Sequence, residues 1–276
     1  MVIALHGFLG LPDDWQPIAS RMAPRLAQGT QGPSSFEAVD LWSEARAMAA
    51  ECPELHVNSP FENCWFERWT EHFKTRLVRA ISATGKKPWL IGYSMGGRLA
   101  LHAAIKLQGL LSGLVLVSVN YGLGSLDERE SRLGRDHAWA MRLRSGENWE
   151  RVLADWNAQP VLKPGSSDEG IFLERVEGRF DRATLAMGLE GWSLARQSDR
   201  RAELAAIGLP VLHVSGEEDR SYTKIVYDYF ASQAAVLQAT GLQKHVVVPK
   251  AGHRVPWDAP EAFGQAVCSF IWEVGA

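Results

Sequence analysis

A chain of 276 residues with 46% apolar and 22% charged side chains has the composition of a soluble globular protein, which excludes disorder, collagen and coiled coil. That length is enough for one large α/β domain, with or without an inserted subdomain, and needs no disulfide or structural metal for stability. A net charge of −3 argues against nucleic acid as a partner, because gripping phosphates takes a basic surface.

Val2 to Leu5 is a short apolar run opening into H-G-F-L-G, the pattern of a buried strand entering a loop. The start has neither a basic segment nor an apolar stretch suited to export, and no apolar run reaches membrane-spanning length. A cytoplasmic protein is therefore expected. Asp13 and Asp14 are placed to cap a helix carrying Trp15, Ile18, Met22 and Leu26. Between 27 and 60, punctuated by Gly and Pro, only Ala38 to Leu41 reads as a strand. Helical spacing returns over Trp65 to Ala83 and stops near Gly85. A strand P-W-L-I-G-Y, a tight G-Y-S-M-G-G turn and a helix with Arg98, Leu99, Leu101, His102 and Ile105 follow.

Gly113 to Val119 is a second continuous apolar strand, as in a parallel sheet covered on both faces. Residues 125 to 182 are rich in Arg, Glu and Trp with an amphipathic helical pattern. The alternation resumes with a helix over Leu185 to Ala206, the strand P-V-L-H-V-S-G, a helix over Tyr222 to Leu237, the strand K-H-V-V-V-P and a terminal helix over Ala259 to Trp272. The order predicts an α/β fold with a mostly parallel, doubly wound sheet: a core of 1–124 and 183–276, and a helical cap inserted at 125–182. Cys52, Cys64 and Cys268 lack C-x-x-C spacing and read as reduced thiols, not as a zinc site or a disulfide framework.

The turn Gly92-Tyr93-Ser94-Met95-Gly96 carries the chemistry. Small residues two before and two after the serine let the backbone lift its hydroxyl above the sheet, at the N-terminus of the next helix. A serine hydroxyl needs an imidazole to take its proton and a carboxylate to orient that imidazole. The chain order serine, acid, histidine points to Asp219 in V-S-G-E-E-D-R and His253 in P-K-A-G-H-R, each just past a late strand. Glu217 and Glu218 compete with Asp219; His213 sits inside a strand, His102 on a helix face, and His245 opens a strand. A developing oxyanion needs two donors, and the amides of Phe8 and Met95 are the natural pair. The side chains of His6 and Phe8 are as well explained by packing.

H-G-F, the serine turn, G-E-x-D and A-G-H, in that order over nearly the whole chain, resemble the α/β-hydrolase superfamily. G-Y-S-M-G-G-R-L-A, E-R-E-S-R-L-G-R-D-H-A-W-A, W-N-A-Q-P, and A-T-L-A before S-L-A-R-Q are similar to the 2-succinyl-6-hydroxy-2,4-cyclohexadiene-1-carboxylate synthases of menaquinone biosynthesis. That resemblance implies an α/β-hydrolase fold and a lyase that eliminates pyruvate from a cyclohexene bearing several carboxylates, with the serine acting as a base. It implies a small anionic organic substrate and no cofactor or metal. Tyr93, Arg98, Arg132 and Trp156 match its substrate-contacting positions, and a further arginine falls in E-R-V-E-G-R-F, at Arg175 or Arg179, with Arg179 taken as the candidate. Arginine suits several carboxylates because its planar fork stays charged when desolvated.

Arg129 and Arg135 read as a solvated face paired with Glu128, Glu130 and Asp136. Trp156 is equally explained as an anchor of the insertion. The chain departs from the family pattern where Asp40 is followed by L-W-S-E-A-R instead of a P-G-H-G loop, at Asn157 where an aromatic is common, and in lacking sequence for an N-terminal antiparallel hairpin. A serine hydrolase of esters, thioesters or carbon-carbon bonds is the alternative, and a non-catalytic binding relative a third reading; the sequence is silent on oligomeric state.

Overall fold

The apolar runs read as strands all join one sheet. In the computed structural model, which describes residues 1–26, 35–51, 64–162 and 177–275, β1 (Val2–Leu5), β2 (Phe36–Val39), β3 (Trp89–Tyr93), β4 (Gly113–Val117), β5 (Val211–Gly216) and β6 (Gln243–Val248) are parallel in the order β2-β1-β3-β4-β5-β6. The chain runs outward from β1 to β2 and then returns to β3 on the other side. The strand order therefore reverses at β1 and β3, where open α/β sheets bind their ligands.

The helices in chain order are α1 (Gln16–Leu26), α2 (Leu41–Glu51), α3 (Cys64–Thr84), α4 (Met95–Leu107), α5 (Leu126–Arg144), α6 (Trp149–Asn157), α7 (Arg182–Gly191), α8 (Arg201–Ala205), α9 (Arg220–Ser232), α10 (Ala234–Thr240), α11 (Val255–Asp258) and α12 (Pro260–Gly275). Alternate strand residues feed two apolar layers, as a period of two requires. Val2, Ala4, Ile91, Val115, Leu212 and Val214 pack with Ile18 and Met22 of α1 and with Phe263, Val267 and Cys268 of α12. Ile3, Leu5, Leu90, Leu114 and Leu116 pack on the other face with Trp69 and Phe73 of α3 and Leu99 and Ala103 of α4. Each buried Val, Leu, Ile, Met or Phe among these stabilises the fold by about 1.5–3 kcal/mol, so both faces hold the sheet rigid beneath the loops at its carboxyl edge.

At that edge Leu153, Trp156 and Asn157 of α6 meet Ser94 around one cavity, and Trp139 of α5 packs on Trp156. Ser125 and Glu128 form a capping box at the start of α5, and the Asn148 side chain accepts the Arg151 N–H at the start of α6. α5 packs along α7, which in turn lies on α2.

Several expected boundaries move. The second strand is Phe36–Val39, not Ala38 to Leu41, because Asp40 accepts the N–H groups of Trp42 and Ser43 and starts α2. The strand from Gly113 ends at Val117, since Ser118 has φ 51°. Asp13 and Asp14 do not sit at the N-cap: Asp14 reaches back to the Leu11 N–H at 2.8 Å, and a 3-10 turn precedes α1. The helix expected over Leu185 to Ala206 is broken into α7, a 3-10 turn and α8, because the Ser193 hydroxyl accepts the Ala195 N–H and starts a new turn. The helix expected over Tyr222 to Leu237 is divided at Gln233, where the Ser232 hydroxyl bonds back to the Tyr229 carbonyl.

Candidate active site

β3 delivers Ser94 into a backbone conformation, φ 51° and ψ −111°, that a serine adopts only when its surroundings force it. The surroundings are glycines in backbone contact. A Cβ on Gly92 would stand 2.5 Å from the Gly97 Cα, and one on Gly96 would stand 2.4 Å from the His6 carbonyl oxygen. Strand, helix and the loop after β1 therefore close on one another, and α4 begins at once with Met95.

β5 and β6 bring the other two members. His253 Nε2 lies 3.1 Å from Ser94 Oγ, and His253 Nδ1 lies 2.7 Å from Asp219 Oδ2. A carboxylate only accepts, so Nδ1 is the donor and Nε2 is left to accept from the serine hydroxyl. The other Asp219 oxygen accepts the Tyr222 N–H at 3.3 Å, which fixes the carboxylate at the head of α9. Asp219 and His253 are both buried, whereas Glu217 and Glu218 are exposed and Glu217 is bonded to the Lys250 N–H. The imidazole is flanked by Tyr222, with ring centroids 4.4 Å apart, and by Tyr93 at 5.6 Å. Burial pushes both phenols above their ordinary pKa, so they stay protonated at neutral pH.

In the loop after β1, Leu9 has φ 57° and the Gly10 N–H returns to the Gly7 carbonyl at 3.0 Å, closing a tight turn around Phe8. The amides of Phe8 and Met95 have no acceptor among the described residues. His6 is fully buried; its Nε2 accepts the Leu41 N–H, tying this loop to α2.

The charges of Arg132 and Arg98 each lower the Tyr222 pKa against the effect of burial, but neither arginine is among the residues that line the cavity at Ser94. Arg98 is buried and donates to the Trp192 carbonyl at 2.6 Å; burial, helped by the Arg132 charge, pushes it down to about 10. Arg132 Nε contacts both oxygens of Asp136 at 2.9 Å, and that carboxylate, which also accepts from the Ser193 hydroxyl at 2.6 Å, raises the Arg132 pKa against desolvation. Arg129 is half-buried and donates to the Ala195 carbonyl, so it is not a purely solvated residue, whereas Arg135 is exposed.

Phe8, Leu9, Tyr93 and Ser94 line a cavity with Leu153, Trp156, Asn157, Leu162 and Arg254. The Trp156 ring packs on Phe8 at 4.5 Å and on Trp139 at 5.0 Å, so it is both wall and anchor. Arg179 is not brought to this cavity: its guanidinium is half-exposed and pairs with Asp13 at 2.6 Å. Arg175 lies outside the described residues. Sequence reasoning missed Tyr222 and Arg254, although one lies three residues past Asp219 in the first turn of α9 and the other directly follows His253. No cluster of His, Cys, Asp and Glu among the described residues could hold a metal ion, and no helix among them is long and apolar enough to cross a membrane.

A family model described as the alpha/beta hydrolase family matches residues 2–266. The 2-succinyl-6-hydroxy-2,4-cyclohexadiene-1-carboxylate synthase of Klebsiella pneumoniae subsp. pneumoniae is 35% identical over 265 residues, covering 95% of this chain and 89% of its own. The enzyme of the same name from Serratia proteamaculans is 30% identical over 280 residues, covering 99% and 94%. Among solved structures, MenH from S. aureus shares the fold with a TM-score of 0.74 at 21% identity, covering 100% of this chain and 94% of its own. A thermophilic esterase from Thermogutta terrifontis shares it at 0.59 and 20% identity, covering 100% and 90%. The chain belongs to the alpha/beta hydrolase family and, within it, to the family of the 2-succinyl-6-hydroxy-2,4-cyclohexadiene-1-carboxylate synthases.

Proposed function

We propose that this protein is a carbon-oxygen lyase that eliminates pyruvate from a polycarboxylated cyclohexene, with Ser94, His253 and Asp219 as its catalytic residues. Asp219 holds the imidazole in one tautomer, His253 Nε2 draws the proton from Ser94 Oγ, and Ser94 takes a proton next to the ring carboxylate. The amides of Phe8 and Met95 hold the oxyanion that develops. The C–H electron pair moves into the ring as the bond to the departing oxygen breaks, and the proton carried by His253 goes to the leaving group. No water is consumed, and the route calls on no cofactor.

Arg98, Arg132, Tyr93 and Trp156 form the substrate-binding set in this reading, and Arg175 remains a candidate outside the described residues. Residues 125–182 act as a helical cap over a core of 1–124 and 183–276, in a cytoplasmic protein with reduced thiols. The observation that carries the reading is the unbroken hydrogen-bonded chain from Asp219 through His253 to Ser94 in a member of the synthase family. A coupled assay for pyruvate on the ring substrate tests it: release that depends on Ser94 is expected.

One observation favours a serine hydrolase instead, namely that Phe8, Leu9, Leu153, Trp156 and Leu162 make most of the cavity wall apolar. In that reading Ser94 attacks an acyl carbon and forms an acyl-enzyme. Rapid turnover of a nitrophenyl ester with no pyruvate released from the ring substrate would decide for the hydrolase.

A further inference from the structure

Arg254 follows His253 directly, so its backbone is as fixed relative to Ser94 as the imidazole is. Its side chain lines the cavity that contains Ser94, Tyr93 and Phe8. Its Nη2 donates to the Oδ1 of Asn157, the last residue of α6 and a second lining residue of that cavity, at 2.5 Å. Its charge acts on the Tyr93 hydroxyl and on Asp258, the acidic group of the following turn. That carboxylate also accepts the Gly252 N–H at 2.8 Å. A guanidinium is a planar fork matched to two carboxylate oxygens, and the acceptor of this Nη2 on α6 is the oxygen of a neutral amide.

We infer that Arg254 selects a carboxylate of the substrate on the α6 side of the cavity, and that Asn157 holds the guanidinium in place until this carboxylate displaces the amide oxygen. The exchange is favourable because a hydrogen bond between two charged groups is roughly twice as strong as one to a neutral acceptor. The inference rests on the proposed elimination from a polycarboxylated ring. It adds to Arg98 and Arg132 a third cation, on a different element.

Substitutions at residue 157 separate selection from simple support, because the two roles predict opposite signs. Asn157→Asp puts a rival carboxylate beside Arg254, so KM for the pyruvate-releasing substrate should rise about tenfold with a smaller change in kcat. Asn157→Ala removes the placeholder, and KM should fall. Arg254→Gln should raise KM as Asn157→Asp does, with part of the loss recovered in Arg254→Lys. Were Arg254 only a strut pinning α6, Asn157→Asp would keep the pin and leave KM unmoved while Asn157→Ala raised it; that pattern overturns the inference. A wild-type protein that releases no pyruvate defeats the proposed function instead. The inference is then read by titration calorimetry with tricarballylate, which should bind the wild type about tenfold tighter than Arg254→Gln. Equal affinity, or no binding to the wild type, overturns it.

Discussion

The α/β core and α6 both reach the cavity at Ser94, with α5 packed against α6 through Trp139, but core and helices fix their residues by different means. Ser94, Asp219 and His253 sit in turns at the ends of β3, β5 and β6, where the strand ladder sets the backbone and the side chain has little left to choose. Arg132, Trp156 and Asn157 come from helices whose outer faces carry exposed groups, and they are held by side-chain contacts to Asp136, Phe8 and Arg254. In the proposed reading the chemistry thus rests on positions the backbone fixes, and the recognition of the substrate on replaceable helix-borne side chains.

The largest effects are expected where the backbone fixes the chemistry. Ser94→Ala should lower kcat by about 10³-fold or more, and Asp219→Asn by roughly 10³–10⁴-fold, because an amide there stabilises the wrong imidazole tautomer. Both proteins should keep the wild-type circular dichroism spectrum. Activity near wild type in Ser94→Ala would place the chemistry elsewhere.

Gly96→Ala tests the backbone itself. Its new methyl would lie 2.4 Å from the His6 carbonyl oxygen and 2.7 Å from Leu5 backbone atoms, and a carbonyl cannot swing aside as a side chain does. The shift separates the Met95 amide from Ser94 and His253 by a fraction of an ångström. A loss of roughly 10²-fold in kcat, with KM less affected, is the expected result in steady-state kinetics.

The same contrast explains what the sequence revealed. The strands and the Ser94, Asp219 and His253 geometry were legible because a sharp turn demands small residues at set positions and the order along the chain restricts the acid and the base. The helix-face residues were not. Period 3.6 groups Arg129, Arg132 and Arg135, yet nothing local tells that Arg132 meets Asp136, that Arg129 meets a carbonyl or that Arg135 stays exposed. Arg179 failed for the same reason: its partner, Asp13, is 166 residues away in the chain. Tyr222 was hidden by its place in an ordinary amphipathic helix, where only the N-cap at Asp219 hinted that its ring would stand beside His253.

Acid should separate the two regions as well. Burial pushes the His213 imidazole down to about 3, against a weaker pull upward from its Gln243 bond, and it also bonds the Tyr121 hydroxyl at 2.7 Å. His137 of α5, by contrast, is exposed. Above about pH 6.5 neither folded nor unfolded chain protonates residue 213; below it the unfolded chain takes up a proton that the folded one refuses. Stability held at neutral pH is therefore lost as pH falls from 6.5 toward 3, by about 2 kcal/mol at pH 5 from this one group. Urea titrations at pH 7.5 and pH 5 should show a smaller drop in His213→Gln than in the wild type.

The smallest effect is the most informative about α5. Arg132→Gln removes a charge near Tyr222 and should raise KM about tenfold, with kcat changed less. It also leaves Asp136, a buried carboxylate, with the Ser193 hydroxyl as its side-chain donor among the described residues and the Arg98 charge as its remaining counterweight, so the protein should lose stability too. Adding Asp136→Asn separates the two consequences, because the double variant no longer buries an unpaired charge. If Arg132 binds substrate, the double variant should recover Tm but not KM. Recovery of both would mean that Arg132 serves only to neutralise Asp136, and the recognition of the substrate would then fall to Arg98 and to the side of the cavity formed by Trp156, Asn157 and Arg254.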